Sequence, residues 1–222
     1  MKSKSDNLKS TAIKIAYSRI KDNIFSFQYP PGFHIKEIEL SEMLEISRTP
    51  VREAIRLLVD EGLLEIRPNG RCHVMDVDFS EIDTLFELSA SLESMCARLC
   101  AENITDKQIE ELEAIQSRMD CVSDDEDFDF LEENAKFHAL IHEASGSKQL
   151  IRLVKQVRNT ALLCYLKGGR HTSHGDANHQ HRDILTAIIK RDSRLAETSM
   201  RMHIEMLRAE YKAILCQELD KR

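Results

Sequence analysis

A chain of 222 residues, 42% of them hydrophobic, can bury a core and has room for two small domains, which excludes a disordered polypeptide. Seven Gly, four Pro, no Trp and 5% aromatics beside 31% charged residues suit helices and speak against a turn-rich β-sandwich. The formal charge of −7 and a pI near 5.7 argue, as averages, against a nucleic-acid partner, since proteins that bind nucleic acid carry a basic footprint.

The charge is unevenly divided. Residues 1–78 hold 12 Lys+Arg and 12 Asp+Glu, whereas residues 79–222 hold 19 and 26. All four prolines, Pro30, Pro31, Pro50 and Pro68, lie in the first part. The expected organisation is a tail over 1–10, a first domain over 11–78 and a second over 79–222, joined near Asp76 to Ser80. No run of about 18 apolar residues occurs, and Met1 to Ser10 lacks the apolar segment of a signal peptide, so a cytoplasmic location with no membrane partner is expected. Six cysteines, at 72, 96, 100, 121, 164 and 216, form no Cys-x-x-Cys pair, which excludes a zinc ribbon and a thioredoxin motif. Cys96 and Cys100, one turn apart, fit the inner face of a helix.

In chain order, Ile13, Ala16, Tyr17, Ile20 and Ile24 recur at helical spacing until Tyr29-Pro30-Pro31-Gly32 stops the run. A short second helix is predicted over Ile38 to Leu44 and a tight turn at Glu45-Ile46-Ser47. A third helix follows over Arg48 to Glu61, with Val51, Ile55, Leu58 and Val59 inward and Gly62 as its stop. Leu63 to Arg67 and Arg71 to Met75 read as two strands around Asn69-Gly70, a strong hairpin signal. Three helices and a hairpin spell a winged helix-turn-helix. On the third helix Arg48, Arg52 and Arg56 fall at i, i+4 and i+8, a basic stripe opposite the apolar one. Such a helix can enter a major groove. The competing reading is a solvated salt-bridge face, for which Glu53 supplies a partner.

The second part reads as an antiparallel bundle of six helices. The first is marked by Leu85, Leu88, Leu92, Met95, Cys96 and Leu99, and the second, restarted at Ile104-Thr105-Asp106, by Ile109, Leu112, Ile115 and Met119. After an acidic loop at Asp124 to Asp127, the third carries Phe130, Phe137, Ile141 and Ala144 and ends at Gly146. The fourth carries Leu150, Leu153, Val154, Val157 and Ala161 up to Gly168-Gly169. A polar loop from Arg170 to Ala177 leads to the last two, with Ile184, Leu185 and Ile188, then Ala196, Met200, Leu207, Tyr211 and Ile214. His138, His181 and His203 each fall on an inner face of a different helix, and Asn134 stands one turn before His138. They can be ligands of one metal ion or core histidines satisfied by hydrogen bonds, and spacing leaves both open. His142 reads as surface or rim. His171, His174 and His179 read as a solvated polar linker, and His73, on the second wing strand, is placed to touch phosphate.

The block Ser47-Arg48-Thr49-Pro50-Val51-Arg52-Glu53-Ala54-Ile55, with Leu58, Glu61-Gly62-Leu63, Pro31-Gly32 and Gly70, resembles the GntR family of bacterial transcription regulators. The resemblance implies DNA contacts from Arg48, Thr49 and Arg52 on the recognition helix, and from a wing around Arg67, Asn69, Gly70 and Arg71 that reaches the adjacent groove; the basic stripe adds Arg56 further along the helix as a candidate contact. Glu45 stands where relatives carry Gly. In the second part, Asn134-x-x-Phe137-His138, His181-x-x-Ile184-Leu185-x-Ala187-Ile188 and His203-Ile204 resemble the FCD effector domain of the FadR subfamily. That likeness implies a divalent transition metal, zinc, nickel, manganese or iron, on His138, His181 and His203, with Asn134 in the place of a family aspartate. It also implies a small carboxylate effector beside the metal, although Ser89 replaces an arginine found near the effector in relatives.

The expected protein is a homodimeric, ligand-responsive regulator on a half-palindromic double-stranded operator, with repression as the expected sense. A metal-dependent enzyme built on the three histidines is the alternative, and it lacks an identifiable acid or base beside them. A protein-docking winged module is a further alternative that leaves the arginine stripe unexplained.

Overall fold

The computed structural model describes residues 4–76, 79–122, 127–167 and 174–220. The chain clusters into two units, Met1–Phe79 with Lys155–Leu166, and Ser80–Val154 with Lys167–Arg222.

In the first unit α1 (Lys4–Phe25) starts within the stretch expected as a tail. It buries Ala16, Ile20 and Ile24. After it come β1 (His34–Ile35), α2 (Glu37–Met43), α3 (Arg48–Asp60), β2 (Leu64–Ile66) and β3 (Cys72–Val74). The strands form one antiparallel sheet in the order β1-β3-β2, with Ile66 opposite Cys72 and His34 opposite His73. The sequence reading anticipated β2 and β3 but not β1, which is too short to show alternation. The wing turn is closed by the Gly70 N–H to the Arg67 carbonyl, 2.8 Å. Asn69 Oδ1 accepts from the Arg71 N–H at 3.0 Å, which is why Asn-Gly suits this position.

Helix α3 presents Val51, Ala54, Ile55 and Leu58 to the core, while Val59 is only half-buried. Pro50 sits in its first turn, where no intrahelical donor is required. At its end Gly62 has φ +74, and an added Cβ would lie 3.2 Å from the Cα of Gln156, so both backbone conformation and close approach demand glycine. Gln156 and Asn159 belong to Lys155–Leu166, the part of α7 (Lys148–Lys167) that clusters with this unit. Their amides donate to the last carbonyls of α3, to Asp60 at 3.2 Å and Glu61 at 2.9 Å.

The second unit begins at Ser80, inside a 3₁₀ turn over Phe79–Glu81, and holds α4 (Ile82–Asn103), α5 (Asp106–Met119), α6 (Asp127–Ala144), the start of α7, α8 (His174–Ile189) and α9 (Ser193–Asp220). Thr105 and Gln108 form a reciprocal capping box that starts α5. Leu112, Ile115 and Met119 of α5, Phe137 and Ile141 of α6, and Ile184 and Ile188 of α8 are buried as the periodicity predicts. On α7, Leu153 faces solvent.

The expected face of α4 needs correction. Leu88 and Met95 are 48% and 44% exposed, whereas Cys96 is buried as expected together with Ile82, Phe86, Ser89, Ala90, Glu93, Ser94, Ala97, Cys100 and Ala101. The inner face is small and polar where it meets the histidines, so the strongest apolar stripe lies elsewhere on the helix. The polar loop expected through Ala177 is shorter, because α8 begins at His174 and therefore includes His174 and His179. His171, Gly168-Gly169 and Asp124 lie outside the described residues. Burial pushes the thiols of Cys96 and Cys100 up to about 12, with Glu93 adding to the effect at Cys96, so both are inert at neutral pH.

Glu45 adopts φ 53 between α2 and α3, the left-handed conformation in which a side chain costs about 1 kcal/mol. Glu45→Gly removes that strain and raises the thermal midpoint of the protein by roughly 2 °C in calorimetry. An unchanged or lower midpoint contradicts the strain.

Candidate metal centre and nucleic-acid interface

Arg48, Thr49, Arg52 and Arg56 are exposed along one edge of α3, opposite the buried Val51, Ile55 and Leu58. Arg52 forks onto Glu37 of α2, with Nη2 2.8 Å from Oε2 and Nε 3.2 Å from each carboxylate oxygen. Glu37 was not singled out from sequence. Fifteen residues away, it becomes a partner only once α2 and α3 cross. Arg56 pairs with Glu53 at 3.0 Å, as the salt-bridge reading anticipates, and Arg48 makes no ion pair among the described residues. Exposed pairs of this kind hold by roughly 0–1 kcal/mol, so a phosphate or a base edge can displace the glutamates. On the wing, Arg71 and Gly70 are exposed and Arg67 pairs with Glu65 at 2.8 Å. His73 is 8% exposed and stacked on His34 with ring centres 4.9 Å apart, so it belongs to the sheet and is not placed to reach a phosphate.

In the second unit, α6, α8 and α9 bring His138, His181 and His203 together. The rings are 1%, 0% and 7% exposed. Their centres lie 5.5 Å (138 to 181), 5.4 Å (138 to 203) and 4.6 Å (181 to 203) apart. One nitrogen from each falls within 4.8 Å of the others. The helical phase produces this meeting. His181 precedes the buried Ile184, Leu185 and Ile188, and His203 continues the buried Ala196 and Met200.

Two of the imidazoles are oriented from behind. His203 Nδ1 lies 2.7 Å from the carbonyl oxygen Oε1 of Gln180. His138 Nδ1 lies 3.1 Å from Oε2 of Glu93 on α4. An Nδ1–H donated to such an acceptor puts the ring's lone pair on Nε2, the form in which imidazole ligates a metal. Asn134 Oδ1, one helical turn before His138, is buried with no hydrogen-bond partner among the described residues. Three neutral nitrogens plus an oxygen fit a divalent transition metal such as zinc, nickel, manganese or iron.

Glu93 is fully buried, and the sequence reading did not place it at the site. Its Oε2 also accepts from His142 Nε2 at 2.7 Å, so His142, 2% exposed, is interior and not a rim residue. Position 142 follows 138 by one turn and faces α4, whose inner face the leucine pattern concealed. Burial alone would raise the Glu93 carboxyl, but the charges of His142 and His138, with their hydrogen bonds, outweigh it and hold the group well below the usual carboxylate range. Glu93, His138 and His142 also cluster closely enough to suggest a ligand set. At 2.7 and 3.1 Å the two contacts are hydrogen-bond lengths, so in this structure the trio is a hydrogen-bonded group beside the three histidines. Ser89, one turn before Glu93, is also buried. An open cleft of about 340 Å³ between α8 and α9 is lined by Asp176, His179, Asp183, Met202 and Met206, and by Gln180, the partner of His203.

Comparison with known proteins places both units. The family model described as "Bacterial regulatory proteins, gntR family" matches residues 13–74, and the model "FCD domain" matches residues 84–206. The chain is 27% identical over 197 residues to the uncharacterized HTH-type transcriptional regulator YdhC of Bacillus subtilis, covering 84% of this chain and 85% of that protein. It is 25% identical over 206 residues to the HTH-type transcriptional repressor RspR of Escherichia coli, covering 92% and 90%. Among solved structures, E. coli McbR/YncC matches with a TM-score of 0.75 at 20% identity, over 91% of this chain and 97% of that one, which shows the fold.

Removing one donor from a buried carboxylate costs roughly 3 kcal/mol. His142→Ala is therefore expected to lower the free energy of urea unfolding by about that amount at neutral pH, and a loss under roughly 0.5 kcal/mol contradicts an ionised, doubly held Glu93.

Proposed function

Since the chain belongs to the gntR family of bacterial regulatory proteins and carries an FCD domain, we propose that it acts in the cytoplasm as a homodimeric repressor whose operator affinity is set by a metal-held organic anion. The family matches make it a transcription regulator and not an enzyme. Repression is supported by its relatives, which include RspR and a probable D-xylose utilization operon transcriptional repressor of Paenarthrobacter nicotinovorans. No helix among the described residues is long and apolar enough to cross a membrane.

DNA reading rests on the exposed arginine edge of α3. Arg48 and Thr49, in the first turn, and Arg52, aimed by Glu37, are the base-contacting residues, with Arg56 further along the groove. The wing residues Arg67, Asn69, Gly70 and Arg71 follow the neighbouring backbone. A reader with balanced charge binds DNA weakly without specific contacts, so two copies on half-sites one helical turn apart, about 34 Å, are needed for specificity. The exposed Leu88 and Met95 of α4 support self-association.

His138, His181 and His203, with Asn134 Oδ1, would hold a divalent transition metal, which supplies a Lewis-acidic point for an anion. The ion's two positive charges face one nearby carboxylate, Glu93, which leaves an excess of positive charge that a small carboxylate effector neutralises. Ser89, buried on the face of α4 that carries Glu93, offers that effector a hydroxyl. The effector shifts the operator equilibrium only through a difference in affinity between DNA-competent and incompetent arrangements.

Footprinting and fluorescence anisotropy on the DNA flanking the protein's own gene test this reading. Wild type protects a half-palindrome, Arg52→Ala binds at least roughly tenfold more weakly, and affinity falls steeply with salt. Arg52→Ala binding as tightly as wild type, or affinity indifferent to salt, contradicts it.

A further inference from the structure

As metal ligands, the three imidazoles that converge in the bundle, and the Asn134 amide one turn before His138, are neutral groups, so an ion bound by them alone would enter a buried cage without a compensating charge. Among the described residues Glu93 brings a carboxylate to this cage, is 0% exposed and lies 3.1 Å from His138 Nδ1. We propose that Glu93 is the anionic positioning residue of the centre. It delivers its charge to the metal through the Nδ1–H of His138, and His142 pins the carboxylate in place. The inference rests on the three-imidazole reading above.

Three observations point the same way. The 3.1 Å contact to His138 Nδ1 selects the tautomer whose lone pair is on Nε2 and makes that nitrogen more basic. His142 donates from the other side at 2.7 Å to the same oxygen, Oε2, which fixes that oxygen against His138 and keeps it from swinging into the cage as a direct ligand. His142 stands one helical turn from His138 on α6, so a rigid helix sets the spacing of the two donors to Glu93. By contrast, the partner of His203 is the uncharged Gln180, at 2.7 Å.

The test is Zn²⁺ affinity of the full-length protein, measured by competition with a chromophoric chelator, for wild type, His203→Ala, Glu93→Gln, Asn134→Asp and the double variant Glu93→Gln/Asn134→Asp. Wild type binds one ion and His203→Ala loses it. Glu93→Gln, with helical content unchanged by circular dichroism, binds about 10- to 100-fold more weakly, the range typical when an outer carboxylate is neutralised. Asn134→Asp puts the missing charge directly on the cage, so the double variant recovers most of that loss, a rescue that a merely structural role for Glu93 would not give. Affinity unchanged in Glu93→Gln, or a loss that Asn134→Asp does not recover, overturns the inference while leaving the three-imidazole site standing. If wild type fails to bind, or His203→Ala binds as tightly, the three-imidazole reading itself falls. If Glu93→Gln does not fold, Glu93→Asp replaces it. Glu93→Asp keeps the charge but withdraws it from His138 by one methylene, and is expected to bind about 3- to 10-fold more weakly. Equal affinity in that variant overturns the proposal.

Discussion

A carboxylate with no exposure to water can stay ionised only where donors replace the water it has lost, and the bundle is arranged around meeting that demand for Glu93. His138 and His142, one turn apart on α6, both direct a ring nitrogen at the same oxygen. Rotating either helix would break this pair, so charge adds to the apolar burial of Phe86 and Cys100 on α4 and of Phe137 and Ile141 on α6 in fixing their phase. Around Glu93 the inner face of α4 carries the small Ser89, Ala90 and Ala97, and the larger Leu88 and Met95 are turned outward. The same hydrogen bond that satisfies Glu93 sets the tautomer of His138 and puts its ring lone pair on Nε2. In the proposed reading, stability of the bundle and readiness for a metal are two results of one contact.

In the first unit the governing restraint is also electrostatic, but on the surface. Arg52 is held by Glu37 and Arg56 by Glu53, so the arginine edge of α3 is pre-ordered by weak exposed pairs, which an operator replaces in the proposed reading. This accounts for how a unit with balanced charge can read an acidic polymer: its net charge gives little nonspecific attraction, and its arginines are placed one by one. The acidity of the whole chain resides in the helical bundle, so it carries no information against DNA binding. The turn before α3 shows the cost of the same economy of residues, since Glu45 occupies a left-handed position without the freedom of glycine.

Much of this was legible in the sequence, for identifiable physical reasons. Proline and glycine punctuation, the Asn-Gly turn and the apolar spacing of α3 are local signals, and the winged unit follows from them. The three histidines could be assigned to inner faces because each lies in register with strongly apolar neighbours such as Ile184 and Met200. Glu93 and His142 were misjudged for the opposite reason. A buried charge looks like a surface residue until its partner is known, and the partners are 45 and 49 residues apart. The leucines of α4 compounded the error, because a helix that lines a polar site shows its strongest hydrophobic stripe on the wrong side. Glu37 and β1 escaped notice because a cross-helix ion pair and a two-residue strand have no periodic signature.

X-ray absorption at the zinc K-edge of the protein reconstituted with Zn²⁺ tests the central claim most directly. The account predicts one ion per chain with three imidazole nitrogens at about 2.0–2.1 Å and oxygen completing the shell. A shell with fewer than three imidazoles, or with thiolate sulfur at about 2.3 Å, would contradict it.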